Sequence, residues 1–124
     1  MKKRKKILHV DDEKDILTVV KTILEREGFE VVSVSDSKSA LREIANQNFD
    51  LLIIDIMMPE MSGWELFSKV GQIKDNCKVI FLSVLDLSVE KIKELKNAGV
   101  NDYIRKPFES VDLVNRVKKV ISYV

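Results

Sequence analysis

Phe49-Asp50-Leu51-Leu52-Ile53-Ile54-Asp55 is the stretch that decides the fold. Four apolar residues in unbroken succession read as a strand covered on both faces, because a half-exposed strand would alternate apolar with polar. The run ends on a carboxylate and is followed by Ile56-Met57-Met58-Pro59, which starts no clear helix. Open parallel α/β sheets hold their ligands at the carboxyl ends of the strands, so Asp55 is a candidate functional residue.

Two other segments share this character. Ile7-Leu8-His9-Val10 runs into Asp11-Asp12, and Asn101-Asp102-Tyr103-Ile104-Arg105 runs into Lys106-Pro107. Between them the chain alternates strand-like and helix-like patterns. Ile16, Val19, Val20, Ile23 and Leu24 recur at helical spacing within Lys14–Glu27, and Gly28 is a natural stop. Glu30–Val34 is a second strand, after which Asp36 or Ser37 can cap a helix striped by Leu41, Ile44 and Ala45. Trp64, Leu66, Phe67 and Val70 mark a third helix, Lys78–Ser83 a fourth strand, and Val89, Ile92 and Leu95 a fourth helix ending near Gly99. Val114, Val117 and Ile121 stripe the last helix. Such alternation implies right-handed βαβ units and a parallel sheet with helices on both sides.

The 124 residues suit one domain spanning 1–124, in which 1–5 form a basic lead-in. Apolar residues at 45% and charged residues at 33% are ordinary for a soluble globular protein. Lys2-Lys3-Arg4-Lys5-Lys6 hides an acidic body: outside this run 16 basic residues face 20 acidic ones, a net of −4. That sign disfavours direct nucleic-acid binding, and the run itself reads as a solvated approach to the first strand. No stretch suits a membrane span or a signal peptide, and Cys77 stands alone, so a cytoplasmic, reducing setting is expected.

A hard divalent cation takes oxygen ligands, and Mg²⁺ is commonly held by one or two carboxylates with waters and phosphate oxygens. Asp12 and Asp55 can supply carboxylates, Asp11 can act directly or through water, and the Met57 carbonyl can complete the shell. Clustered carboxylates without a cation raise one another's pKa, a penalty that a metal removes. The competing reading makes Asp11 or Asp12 the N-cap of the following helix. Lys106, extended by the proline behind it, can reach across the rim as a point charge, and the Ser83 hydroxyl can donate to a phosphoryl oxygen. His9, the one histidine, is expected to be packed and locally hydrogen-bonded. With the one histidine placed inside an apolar strand and only four scattered glycines, a Ser-His-Asp set, a histidine metal site, a Walker loop and a dinucleotide fingerprint are not expected.

Asp11-Asp12, Asp55-Ile-Met-Met-Pro59-Glu-Met-Ser-Gly63, Phe81-Leu-Ser83 and Tyr103-Ile-Arg-Lys106-Pro107-Phe108 together resemble the receiver domain of two-component response regulators, the chemotaxis-Y-like superfamily, over nearly the whole chain. The resemblance implies a flavodoxin-like, doubly wound sheet of five parallel strands in the order 2-1-3-4-5, flanked by five helices, with the site at the switch point. It implies that Asp55 accepts a phosphoryl group from a sensor histidine kinase or phosphotransfer protein. It implies Asp12, Asp55 and the Met57 carbonyl as Mg²⁺ ligands, Asp11 acting through water, and Lys106 as the phosphate-pairing cation. Ser83 and Tyr103 then form a switch pair, with the ring moving inward behind the hydroxyl, and the fourth helix, fifth strand and fifth helix report the change. Such a module catalyses only its own phosphorylation and dephosphorylation, and is not an enzyme in the usual sense.

The sequence departs from the family at Val84, where a smaller residue is usual; its branched side chain is expected to narrow access to Asp55. Asp102 and Arg116 match positions that pair across a dimer face in receivers joined to winged-helix domains, so a monomer or a weak, phosphorylation-dependent homodimer is expected. No output domain follows Val124, which leaves a stand-alone receiver, or a piece of a longer regulator, acting on a downstream target or a lost output domain. Two other readings compete. An aspartyl-phosphate phosphatase would want a second aspartate where Met57 stands, and a pseudo-receiver would be an interaction module without phosphorylation.

Overall fold

The computed structural model describes residues 3–122; of the lead-in at 1–5, Met1 and Lys2 lie outside that range. Five strands alternate with five helices: β1 (Lys6–Val10), α1 (Lys14–Arg26), β2 (Glu30–Val34), α2 (Ser37–Asn46), β3 (Leu51–Ile54), α3 (Gly63–Ile73), β4 (Val79–Ser83), α4 (Val89–Asn97), β5 (Asp102–Arg105) and α5 (Ser110–Ser122). All four strand pairings are parallel and the order is β2-β1-β3-β4-β5. The expected fold class and strand order hold.

Strand alternation divides the core into two layers. Leu8, Val10, Leu52, Ile54, Val79 and Phe81 pack with Ala40 and Ile44 of α2, Leu66 and Val70 of α3, and Leu95 of α4. Ile7, Leu51, Ile53, Ile80 and Leu82 pack on the other side with Val20 and Leu24 of α1 and Leu113, Val117 and Ile121 of α5. Every residue of β3 is therefore buried, which is why its sequence never alternates. At the centre of the first layer, the fully buried Phe81 ring meets Trp64 and Phe67 edge to face, at centroid distances of 5.0 and 5.9 Å.

Local signals fix the helix ends. Asp36 caps α2 by accepting from the Ser39 amide at 2.7 Å, the first of the two expected capping residues. Gly28 takes φ +93° after α1, and the Phe29 amide returns to the Leu24 carbonyl, a left-handed stop that favours glycine. Three residues expected in apolar stripes face outward instead. Val19 and Ala45 each sit a third of a turn from a buried neighbour, Val20 or Ile44, and Ala40 takes the inner place on α2. Val89 opens α4 directly after its Ser88 cap and is 66% exposed.

Candidate functional site

Parallel register delivers the charged residues to one rim. Val10 pairs with Ile54, so the next residues, Asp11 and Asp55, emerge side by side, and the Asp55 amide donates to the Val10 carbonyl at 3.0 Å. Ser83 pairs with Arg105, and the Lys106 amide donates to the Ser83 carbonyl at 2.8 Å. Asp11, Asp55, Ser83 and Lys106 are all buried, an environment that tolerates charge only when it is compensated.

The compensation runs through Lys106. Its Nζ lies 2.7 Å from Asp11 Oδ2, 3.3 Å from Asp55 Oδ2 and 3.1 Å from Glu13 Oε1. One oxygen each from Asp11, Asp12 and Asp55 can be chosen so that all three lie within 4.8 Å of one another, with Asp12 the exposed member. One ammonium against four carboxylates leaves the rim short of positive charge. Burial accordingly raises the Asp11 carboxyl to about 6, although Lys106 and the Glu13 amide pull the other way. Desolvation is also the largest influence on Lys106 and lowers it, yet the hydrogen bonds to Asp11 and Glu13 prevail and its pKa ends above the ordinary lysine value. A donor set of hard oxygens with unbalanced negative charge fits a divalent cation such as Mg²⁺.

The capping alternative for Asp11 and Asp12 does not hold. Glu13 occupies the N-cap position of α1 with no side-chain cap, and Asp11 Oδ1 accepts from the Glu13 amide at 2.9 Å. Asp55 Oδ1 likewise accepts from the Met57 amide, at 3.2 Å, which ties the nucleophile candidate to the loop whose carbonyl was expected to face a metal. The Met57 side chain points to solvent.

Tyr103, the other half of the expected switch pair, has its ring in the core, and its hydroxyl donates to the Leu85 carbonyl. The Leu85 amide in turn lies 3.5 Å from Ser83 Oγ, so the loop after β4 connects the two residues. Val84, at 52% exposure, stands open to water beside this loop. Asp102 and Arg116 pair within the chain, at 3.0 and 3.1 Å, and Arg116 Nε also holds Asp112 at 3.1 Å.

Sequence reasoning missed Glu13 as a partner of Lys106. The signal was a third consecutive acid after Asp11 and Asp12, which helix entry alone would explain. His9 is packed as expected, fully buried, but neither ring nitrogen has a hydrogen-bond partner. Among the described residues no helix is long and apolar enough to cross a membrane.

Comparison with known proteins agrees with this geometry. Residues 7–118 match the response regulator receiver domain family. The chain is 35% identical to the alkaline phosphatase synthesis transcriptional regulatory protein PhoP of Bacillus subtilis, over 94% of this chain and 48% of that protein. It is also 35% identical to the response regulator SaeR of Staphylococcus epidermidis, over 94% and 50%. The chain thus spans about half the length of these curated relatives. A CheY-like receiver domain from Methanospirillum hungatei superposes with a TM-score of 0.88 at 36% identity, covering 97% of this chain and 95% of that one. The Thermotoga maritima response regulator TrrA, solved in complex with Mg²⁺-BeF, superposes with a TM-score of 0.81 at 33% identity, covering 94% and 98%. A rim of four carboxylates and one lysine, carried on this sheet order and matched across almost the entire chain, leads to one conclusion: this chain belongs to the response regulator receiver domain family.

Proposed function

We propose that the protein is a phosphorylation-activated signalling receiver in which Asp55 accepts a phosphoryl group from a phosphohistidine on a sensor histidine kinase or phosphotransfer protein. The observation that carries this reading is the contact of one buried ammonium, Lys106, with both Asp11 and Asp55, beside a third carboxylate on Asp12. An Asp55 oxygen attacks phosphorus, the bond from phosphorus to the donor nitrogen breaks with its electron pair, and an acyl phosphate remains on Asp55. Catalysis of this kind is mainly positioning and charge neutralisation. The Met57 amide orients the Asp55 carboxylate, and Lys106 pairs with a phosphoryl oxygen as charge arrives. Asp11, Asp12, Asp55 and the Met57 carbonyl would hold Mg²⁺, which when bound offsets the negative charge of carboxylates and phosphate together.

The Ser83 hydroxyl then donates to the phosphoryl group, and Tyr103, linked to the same loop through Leu85, stabilises the arrangement. Two arrangements of this loop give the bistable element that a covalent switch biases, read out on the α4-β5-α5 face by a target protein or output domain. The reading places the protein in the cytoplasm and assigns it no direct contact with nucleic acid. The Arg116–Asp102 pair inside the chain favours the monomer in the unphosphorylated state. The pseudo-receiver reading is disfavoured because Asp11, Asp12, Asp55, Ser83 and Lys106 are all present, and all but the exposed Asp12 are buried at one rim.

Intact-mass measurement after incubation with Mg²⁺ and acetyl phosphate tests the proposal in wild type and Asp55→Asn. A single adduct that requires Asp55 supports the receiver. Rapid turnover without accumulation indicates a phosphatase. No adduct and no Mg²⁺ binding leaves an interaction module.

A further inference from the structure

His9 is the buried polar group that the phosphorylation chemistry does not use. It lies mid-strand in β1, opposite Ser33 of β2 and Ile53 of β3, and its ring is fully buried. Alternation along β1 puts it on the same side as Ile7 and Asp11, facing α1 and α5. A buried donor without a partner is costly, and valine would fill this strand position with no such cost. The presence of imidazole here therefore calls for a reason beyond filling space.

Its surroundings supply one. Nε2 lies 3.8 Å from Asp11 Oδ2, the same oxygen that Lys106 holds at 2.7 Å. The other Asp11 oxygen is already taken by the Glu13 amide. If Lys106 turns to an incoming phosphoryl group, Asp11 Oδ2 loses the ammonium that now lies 2.7 Å from it. His9 Nε2 is the next donor in line, and it reaches hydrogen-bond distance by a shift of about 1 Å. A neutral imidazole carries its proton on one nitrogen only, so the tautomer decides whether Nε2 can donate.

We propose that His9 is a positioning residue: its Nε2–H takes over Asp11 Oδ2 when Lys106 transfers to the phosphoryl group, keeping Asp11 aimed at the site. The inference rests on the receiver reading above. It differs from simple packing in that His9 acts only when Lys106 has moved.

The single histidine makes the test clean in tag-free protein, since a long-range ¹H–¹⁵N spectrum reports one ring. The expected result is the Nε2–H tautomer in the free protein, with the Nε2 signals moving as a hydrogen bond forms after phosphorylation by acetyl phosphate with Mg²⁺. His9→Val should melt no lower than wild type and bind Mg²⁺ as wild type does. It should lose about tenfold in the maximal rate of Asp55 phosphorylation at unchanged KM for acetyl phosphate, the scale typical of a lost outer hydrogen-bond partner. His9→Gln, which keeps an N–H donor, should recover most of that rate. A proton on Nδ1, or His9→Val phosphorylated at the wild-type rate, overturns the inference while leaving the receiver reading intact. A wild-type protein that takes no phosphoryl group overturns the receiver reading and this inference with it.

Discussion

Gly63→Ala is the most demanding test of how the phosphoacceptor is held. A Cβ built on Gly63 falls 2.4 Å from the Asp55 carbonyl oxygen and 2.7 Å from Ile56 Cα, against an ordinary contact of 3.4–4 Å. Both obstacles are backbone, so no rotamer change relieves them, and the start of α3 must retreat from the end of β3 by about 1 Å. The Gly63 amide also donates to the Ile56 carbonyl at 2.8 Å, so the retreat stretches a hydrogen bond. Overpacking of this size costs about 1–3 kcal/mol, which for a domain of this length lowers the melting temperature by roughly 4–12 °C. Displacing Asp55 by ~1 Å should also slow its phosphorylation about 100-fold. Gly71, on the same helix with nothing within 4 Å of its Cβ, is the control. Gly71→Ala should stabilise by about 0.5–1 kcal/mol and leave phosphorylation unchanged. Thermal melts and intact-mass kinetics on both variants decide the matter. A Gly63→Ala protein that melts and reacts like wild type would refute the claim that this close approach sets the position of Asp55.

Two further outcomes follow from particular side chains. Val84→Ala should speed phosphorylation from acetyl phosphate, or loss of the phosphoryl group, severalfold, and no change in either rate would show that the branched side chain does not narrow access to Asp55. Asp36→Ala should destabilise the fold by about 1 kcal/mol at pH 7 through loss of the α2 cap. The Ser39 amide and hydroxyl hold the Asp36 carboxyl below its ordinary range, so its contribution is complete above the ordinary value and is lost as pH falls through the lower folded one. In urea titrations the gap between wild type and Asp36→Ala should therefore narrow below pH ~4; a gap that ignores pH would show that the charge is not what caps the helix.

Much of the architecture was legible because burial on both faces leaves an unmistakable mark, as in Leu51–Ile54. Charged residues directly after such runs were equally plain, which is why Asp11, Asp55 and Lys106 stood out and do converge. Periodicity was a coarser guide at the margins of each stripe. It included Val19 and Ala45, since a 3.6-residue repeat does not say where a stripe ends once the helix docks. Contacts that depend on how elements pack were out of reach. The grip of Glu13 on Lys106 spans 93 residues, and the closing of Arg116 on Asp102 needs α5 folded back over β5. The unpartnered nitrogens of His9 were hidden for the same reason, because composition fixes that a ring is buried and not what its edge meets.

The direction of the first strand and the last helix has a practical side. β1 runs toward the reactive rim and α5 runs back from it, so residue 6 and residue 122 both sit near the opposite edge of the sheet. With about 3.3 Å per strand residue, that edge is roughly 15 Å from Asp55. A dye, a surface tether or a neighbouring module joined at either end would hang from the floor of the molecule and leave its mouth clear.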